Sequence, residues 1–137
     1  MATIDPPARL FTVDEANAIL PDLLPVIAAM RDDAAALRGL RGPLAQLAER
    51  AESCGGIRPS RAESNVQSAA SSHLQAVERA VAELTAIGVY VRNAERGLID
   101  FPSQRNGEIV DLCWVYGEDS VQFWHPADED YSARKPL

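Results

Sequence analysis

The sequence predicts an α+β protein: a short N-terminal helix, a long antiparallel helical hairpin and a C-terminal three- or four-stranded antiparallel β-meander. Three observations carry this reading. Apolar residues recur at steps of three and four from Leu20 to Ile87, the period of a helix with one buried stripe. Two capping boxes mark where helices begin. After Gly88 the period changes to two, and turn signals divide the remainder into short strands. The 137 residues suit one domain, with a helical part at 11–88, a meander at 89–125 and a polar tail at 126–137.

Residues 1–10, with Pro6-Pro7, read as an extended lead-in. Thr12-Val-Asp-Glu15 is the first capping box: the Thr12 hydroxyl accepts from the Glu15 amide, and the Glu15 carboxylate reaches back to the Thr12 amide. Phe11 before it suits the staple position. Pro21 and Pro25 each remove a helical hydrogen bond, so the first helix is expected to stop near Leu20 and a second to start at about Pro21. Its stripe runs through Leu20, Leu24, Ile27, Met30, Ala34, Leu37 and Leu44, weakened at Gly39 and Gly42-Pro43. Cys54-Gly55-Gly56 reads as its C-cap. Ser60-Arg-Ala-Glu63 is the second capping box. The helix it opens carries Val66, Ala70, His73, Val77, Val81, Leu84 and Ile87 on one face. The helices 21–53 and 61–87 are each roughly 40–50 Å long at 1.5 Å per residue and should pair antiparallel. Two such helices cover only one face of each other, and the alanines (Ala34–36, Ala69–70) allow close approach. A homodimer through the hairpin is therefore expected, with His73 as a satisfied interface residue. Beyond Gly88, Val89-Tyr-Val91 is a short strand, Asn93–Gly97 a turn, and Leu98–Phe101 a strand stopped by Pro102. Asn106-Gly107 is a hairpin signal, Ile109–Tyr116 the longest strand, 117–119 a turn, and Ser120–Trp124 the return.

Charge narrows the partners. The final forty residues, from Leu98, carry eight acids and three bases, a net of −5 within the chain's −7. With one lysine and no basic stripe, nucleic acid is a poor partner. An acidic segment suits cations, or simply keeps the protein soluble. No apolar run approaches the roughly twenty residues of a membrane span, so no membrane partner is expected. Cys54 and Cys113 form neither a C-x-x-C pair nor a disulfide framework, and a cytoplasmic location is expected.

The same forty residues hold both tryptophans, Cys113, His125 and a group of acids: Asp100, Asp111, Glu118, Asp119, Asp128, Glu129 and Asp130. On the long strand Ile109, Asp111, Cys113 and Val115 share one face. A three-residue turn at 117–119 would pair Tyr116 with Ser120, Cys113 with Phe123 and Asp111 with His125. Three readings of that histidine stand. It is oriented by an acid in a structural hydrogen bond. Alternatively, His125 with Asp111, Asp100 and Glu118 holds a divalent metal, and such imidazole and carboxylate ligation suits Zn, Fe or Mn. In the third, Cys113 or His125 takes part in catalysis. Asp128 and Glu129 are further ligand candidates. A pocket is expected between the first helix and the meander, lined by Asp14, Glu15 and Asn17 on one side and Asp100, Asp111 and His125 on the other, with Cys113 and Trp124 nearby. For Glu15 the capping role competes with any ligand role.

Phe11-Thr-Val-Asp-Glu-Ala-Asn17, Arg96-Gly-Leu-Ile-Asp-Phe-Pro102, Glu108-Ile-Val-Asp-Leu-Cys-Trp114, Trp124-His125 and Arg134-Lys-Pro-Leu137 resemble the family called domain of unknown function 2203 across essentially the whole chain. The resemblance implies a small stand-alone bacterial protein and brings no established activity. Positions that match its pattern include Glu15, Asp100, Cys113, Trp114, Glu118, His125 and Arg134, while Asp130-Tyr-Ser-Ala departs from a Gly-aromatic-x-Gly run. The functional expectation is a small binding or accessory protein holding a divalent metal through His125 and nearby carboxylates. The alternatives are a metal-dependent enzyme on a small substrate and a purely structural homodimer.

Overall fold

The computed structural model of the protein describes residues 7–54 and 58–137. The start of the lead-in and the Gly55-Gly56 helix stop expected from the sequence lie outside these residues. Three helices come first: α1 (Val13–Gly39), α2 (Arg41–Cys54) and α3 (Arg61–Ala86). Five strands follow: β1 (Tyr90–Asn93), β2 (Leu98–Arg105), β3 (Glu108–Val115), β4 (Phe123–Pro126) and β5 (Lys135–Pro136), with a 3₁₀ turn at Tyr131–Ala133. The class is α+β, as the sequence predicts. The N-terminal helix is not short, however, and the sheet has five strands instead of three or four. Among the described residues no helix is long and apolar enough to cross a membrane.

Both capping boxes form. The Glu15 amide donates to the Thr12 hydroxyl at 3.1 Å and the Thr12 amide to Glu15 Oε1 at 3.0 Å. The Ser60 and Glu63 pair repeats this at 3.2 and 3.0 Å. The expected break at Pro21 does not occur, and α1 runs through both prolines. Pro21 and Pro25 lie on its exposed face, where water can solvate the carbonyls they leave free. The opposite face buries Ala16, Leu20, Leu23, Ile27 and Met30. Each of the four large side chains contributes about 1.5–3 kcal/mol, which offsets about 3 kcal/mol for each interior proline. The helix breaks later, at Leu40, close to the glycines that weakened the stripe. Pro43 then falls in the first turn of α2, where its missing N–H costs nothing.

α1 and α2 run antiparallel to α3. Leu20, Leu23 and Ile27 share a core with Val77, Ala80 and Leu84, Asp33 meets His73 at 2.8 Å, and Arg50 meets Glu63 at 2.7 Å. His73 is thus satisfied by Asp33 within the chain.

The sheet is antiparallel throughout, in the order β1-β2-β3-β4-β5. At the β2–β3 hairpin Asn106 and Gly107 both take positive φ, the geometry the Asn-Gly signal calls for. Gly97 is required by space as well as conformation, because a Cβ there would lie 2.7 Å from Tyr116 Cβ and 3.2 Å from Ile27. β2 does not stop at Pro102 but continues to Arg105, with Pro102 opposite Asp111. β1 pairs only as far as Asp100, so Pro102 faces an open edge where no ladder donor is needed. Its carbonyl accepts the Phe11 amide there at 2.7 Å. Cys113 pairs with Phe123 and Asp111 with His125, as the three-residue count requires. The expected Tyr116 and Ser120 pair is absent, because β3 ends at Val115 and β4 begins at Phe123. The tail expected to be a polar appendage instead adds β5 along β4.

The helices cover one face of the sheet. Ile99, Phe101, Leu112 and Trp114 are buried with the α1 and α3 stripes, and Phe11 meets Phe101 edge to face with centroids 5.3 Å apart. Alternation along the strands therefore turns Asp100, Asp111, Cys113 and His125 to the other face.

Candidate functional site

On that second face, β2, β3 and β4 bring four polar side chains together through two cross-strand pairs, Asp100 with Cys113 and Asp111 with His125. All four are buried, at 5% exposure or less. His125 Nδ1 lies 2.8 Å from the Pro126 carbonyl, which only accepts, so Nδ1 carries a proton. Nε2 faces Asp100 Oδ2 at 3.1 Å. The same Oδ2 accepts from Arg92 Nε at 2.9 Å. Asp100 Oδ1 is buried and has no hydrogen-bond partner among the described residues.

The electrostatics follow from this placement. Burial alone would lower the His125 pKa, but the Pro126 carbonyl, Asp100 and Asp111 oppose it and the net shift is upward. Acceptors face both ring nitrogens, and that placement is what opposes the burial. Burial, and next the Asp100 charge, push the Cys113 thiol up to about 12, so Cys113 is a thiol at neutral pH. Burial and then Asp100 raise Asp111 to about 6, opposed by Arg92 and His125. Arg92 bridges the two acids, with a terminal nitrogen 3.8 Å from Asp111 Oδ2.

The donor set can hold a metal. One ligand atom each from Asp100, Cys113 and His125 lies within 4.8 Å of the others. Bonds of about 2.0–2.3 Å to a tetrahedral Zn²⁺ need only a modest contraction of that triangle. The Pro126 carbonyl fixes the tautomer that leaves Nε2 free to ligate, the usual support for a metal-bound histidine. Asp100 Oδ1 is an unused oxygen. A divalent ion would replace the proton on Sγ, and the one on Nε2 wherever that nitrogen carries one.

Other candidate residues lie elsewhere. Glu118, in the loop after β3, accepts the Val115 amide at 2.7 Å and Arg134 at 2.8 and 3.0 Å, so its carboxylate is committed to that loop. Glu15 caps α1 and pairs with Arg9. Asn17 holds the Val121 backbone, accepting its N–H at 2.7 Å. Asp14 is exposed. Trp124 packs on the helix side of the sheet, with Arg105 and Lys135 over its ring. The expected pocket between α1 and the meander is therefore not the one that forms. The helix and the acids stand on opposite faces of the same sheet.

The cleft that forms lies between the β1–β2 turn and the C-terminal tail, with a volume of about 890 Å³. Asp100 and His125 line it, with Arg92 from the end of β1, Arg96 from the turn, and Tyr131 and Ser132 from the tail. Asp128 and Glu129 line the tail side and are exposed. Arg134 pins this tail: it donates to Glu118 and to the Cys113 carbonyl at 3.2 Å, and stacks on Phe123 and Tyr131 with centroids 3.9 and 4.8 Å away. Sequence reasoning missed Arg92, because the strand was read as ending at Val91. The irregular pairing at Val91 and Asn93 that sets its position leaves no sequence signal.

Fold and site together define a class: an α+β protein whose meander carries a buried aspartate, cysteine and histidine cluster under an open cleft. The chain belongs to the family of uncharacterized conserved proteins known as domain of unknown function 2203 (DUF2203), whose model matches residues 9–137. No curated protein and no solved structure matches the chain.

Proposed function

We propose that the protein is a metal-binding protein in which Asp100, Cys113 and His125 hold one divalent transition metal, with a further coordination position turned to the cleft. The observation that carries this reading is that Asp100, Cys113 and His125, on three strands, each offer a ligand atom within 4.8 Å of the others, with Asp100 Oδ1 buried and without a partner among the described residues. A mixed S, N and O set with a thiolate favours Zn²⁺, then Fe²⁺, and disfavours Mn²⁺. In this reading Cys113 stands in for the expected ligands Glu118 and Asp111, and Asp111 pairs with Arg92 beside the site. A position open to the cleft would admit water or a small ligand, as in catalytic and ligand-exchanging sites and unlike closed structural ones.

The test is metal content of protein purified without a histidine tag, followed by cobalt(II) substitution. One equivalent of metal is expected, with a thiolate-to-cobalt charge-transfer band that disappears in Cys113→Ser. Metal-free protein with no such band after cobalt addition would leave the cluster as a structural salt bridge among Arg92, Asp100 and His125.

A homodimer through the hairpin remains part of the proposal. It is supported by the helical arm, where Leu44, Leu47 and Val66 are only half buried and Leu74, midway along α3, is 48% exposed.

A further inference from the structure

The cleft over the cluster is polarised, and the polarity specifies a ligand. One wall comes from the end of β1, with Arg92, and from the β1–β2 turn, with Arg96. Arg92 spends its Nε on Asp100. Arg96 lies over the Tyr131 ring, 4.6 Å from its centroid, and forms no ion pair among the described residues. The tail lines the same cleft with Asp128, Glu129 and Asp130. Asp130 is occupied, accepting the Ser132 amide at 3.0 Å. Asp128 and Glu129 are exposed and enter no ion pair among the described residues. The floor is Asp100 with its unpartnered Oδ1 and His125. Resting on the metal reading above, a divalent ion held by Asp100 and His125 would share the cleft with the two guanidinium groups.

We propose that the cleft binds a small dipolar molecule, with a carboxylate seated at the metal and the Arg92 and Arg96 wall, and a protonated amine reaching Asp128 and Glu129. A guanidinium presents paired donors to a carboxylate. Exposed acids on the tail offer an ammonium group a partner where a second carboxylate would be repelled. A cleft of about 890 Å³ accommodates a ligand of that kind. A simple dianion leaves the tail wall unpaired, and a diamine meets two arginines and a metal ion.

Three chains of matched length separate these cases: 5-aminopentanoate, glutarate and 1,5-diaminopentane. Each is titrated by calorimetry into zinc-loaded protein of measured metal content, and into cobalt-loaded protein to follow the metal's visible spectrum. The expected order is 5-aminopentanoate tightest, glutarate weaker and diaminopentane weakest, with a spectral change for the two carboxylates only. Arg96→Ala should weaken both carboxylates and spare the diamine. The double variant Asp128→Asn/Glu129→Gln should weaken 5-aminopentanoate by about two- to fivefold, as expected for exposed pairs, and leave glutarate unweakened. Glutarate binding as tightly as 5-aminopentanoate would overturn the role of the tail wall. Diaminopentane binding as tightly would overturn that of the arginines. Protein that holds one metal and binds none of the three refutes the ligand inference alone, whereas protein that takes up no metal refutes the metal reading and this inference with it.

Discussion

Arg134 makes a quantitative test of how the tail is held over the site. Its Nη2 donates to the Glu118 carboxylate, shared between both oxygens, and to the Cys113 carbonyl, and the guanidinium stacks on two aromatic rings, while its side chain is 14% exposed. Hydrogen bonds to charged groups contribute about 1.5–3 kcal/mol, and a cation over an aromatic face adds about 0.5–2 kcal/mol. Glu118 keeps its bond from the Val115 amide when the arginine is removed, so the carboxylate is not stranded. Arg134→Ala should therefore cost about 3 kcal/mol, a large share of the roughly 5–15 kcal/mol of an ordinary domain. Arg134→Lys keeps the charge but loses the planar stacking on Phe123 and Tyr131, and should recover less than half. Urea unfolding measures both, and hydrogen exchange should show residues 127–137 losing protection before the helices do. A loss below about 1 kcal/mol, the value of an ordinary exposed ion pair, would mean that Arg134 does not hold the tail wall in place.

Three further outcomes are expected. Asp111, raised to about 6 by burial and then by Asp100, binds its proton more tightly folded than unfolded. Stability of the metal-free protein should then fall as pH rises from about 4 to 6, by up to about 3 kcal/mol. Asp111→Asn should remove that slope, and a difference between wild type and variant that is equal at pH 4 and pH 7 would contradict it. Metal uptake should release two protons per ion while pH is below the His125 pKa, and one above it, because Cys113 stays a thiol up to about 12. Apparent affinity then rises about 100-fold per pH unit in the first range. Calorimetry in buffers of different ionisation enthalpy counts the protons, and a release below one sinks the proposed ligand set. Sedimentation at micromolar concentration should show a two-chain species, and a single-chain species would end the dimer proposal.

What was legible in the sequence divides along physical lines. The capping boxes at Thr12 and Ser60 are local chemistry, complete within four residues, and both formed. The pairing of Asp111 with His125 follows from period-two alternation, and it survived although the turn grew into a loop. The helix break at Pro21 failed because propensity is local, whereas the burial of Leu20, Leu23 and Ile27 against α3 and the sheet is not. The error over the pocket was avoidable. Ile99, Phe101, Leu112 and Trp114 alternate with Asp100, Asp111 and Cys113, so an amphipathic helix had to take the apolar side and leave the acids on the other. Arg92 and the Pro126 carbonyl were not recoverable, since a strand irregularity and a backbone acceptor leave no residue signature.

The Phe11 amide on the Pro102 carbonyl has a consequence for solubility. β1 covers only the first residues of β2, so among the described residues no strand pairs with the margin beyond Asp100, the kind of margin that templates strand addition and aggregation. Here the margin gives a passing strand little to bind. Pro102 has no N–H to offer, and its carbonyl is already taken by the chain's own N-terminal segment at 2.7 Å. The residue that sequence reasoning took as the end of the strand acts as a guard on its open side.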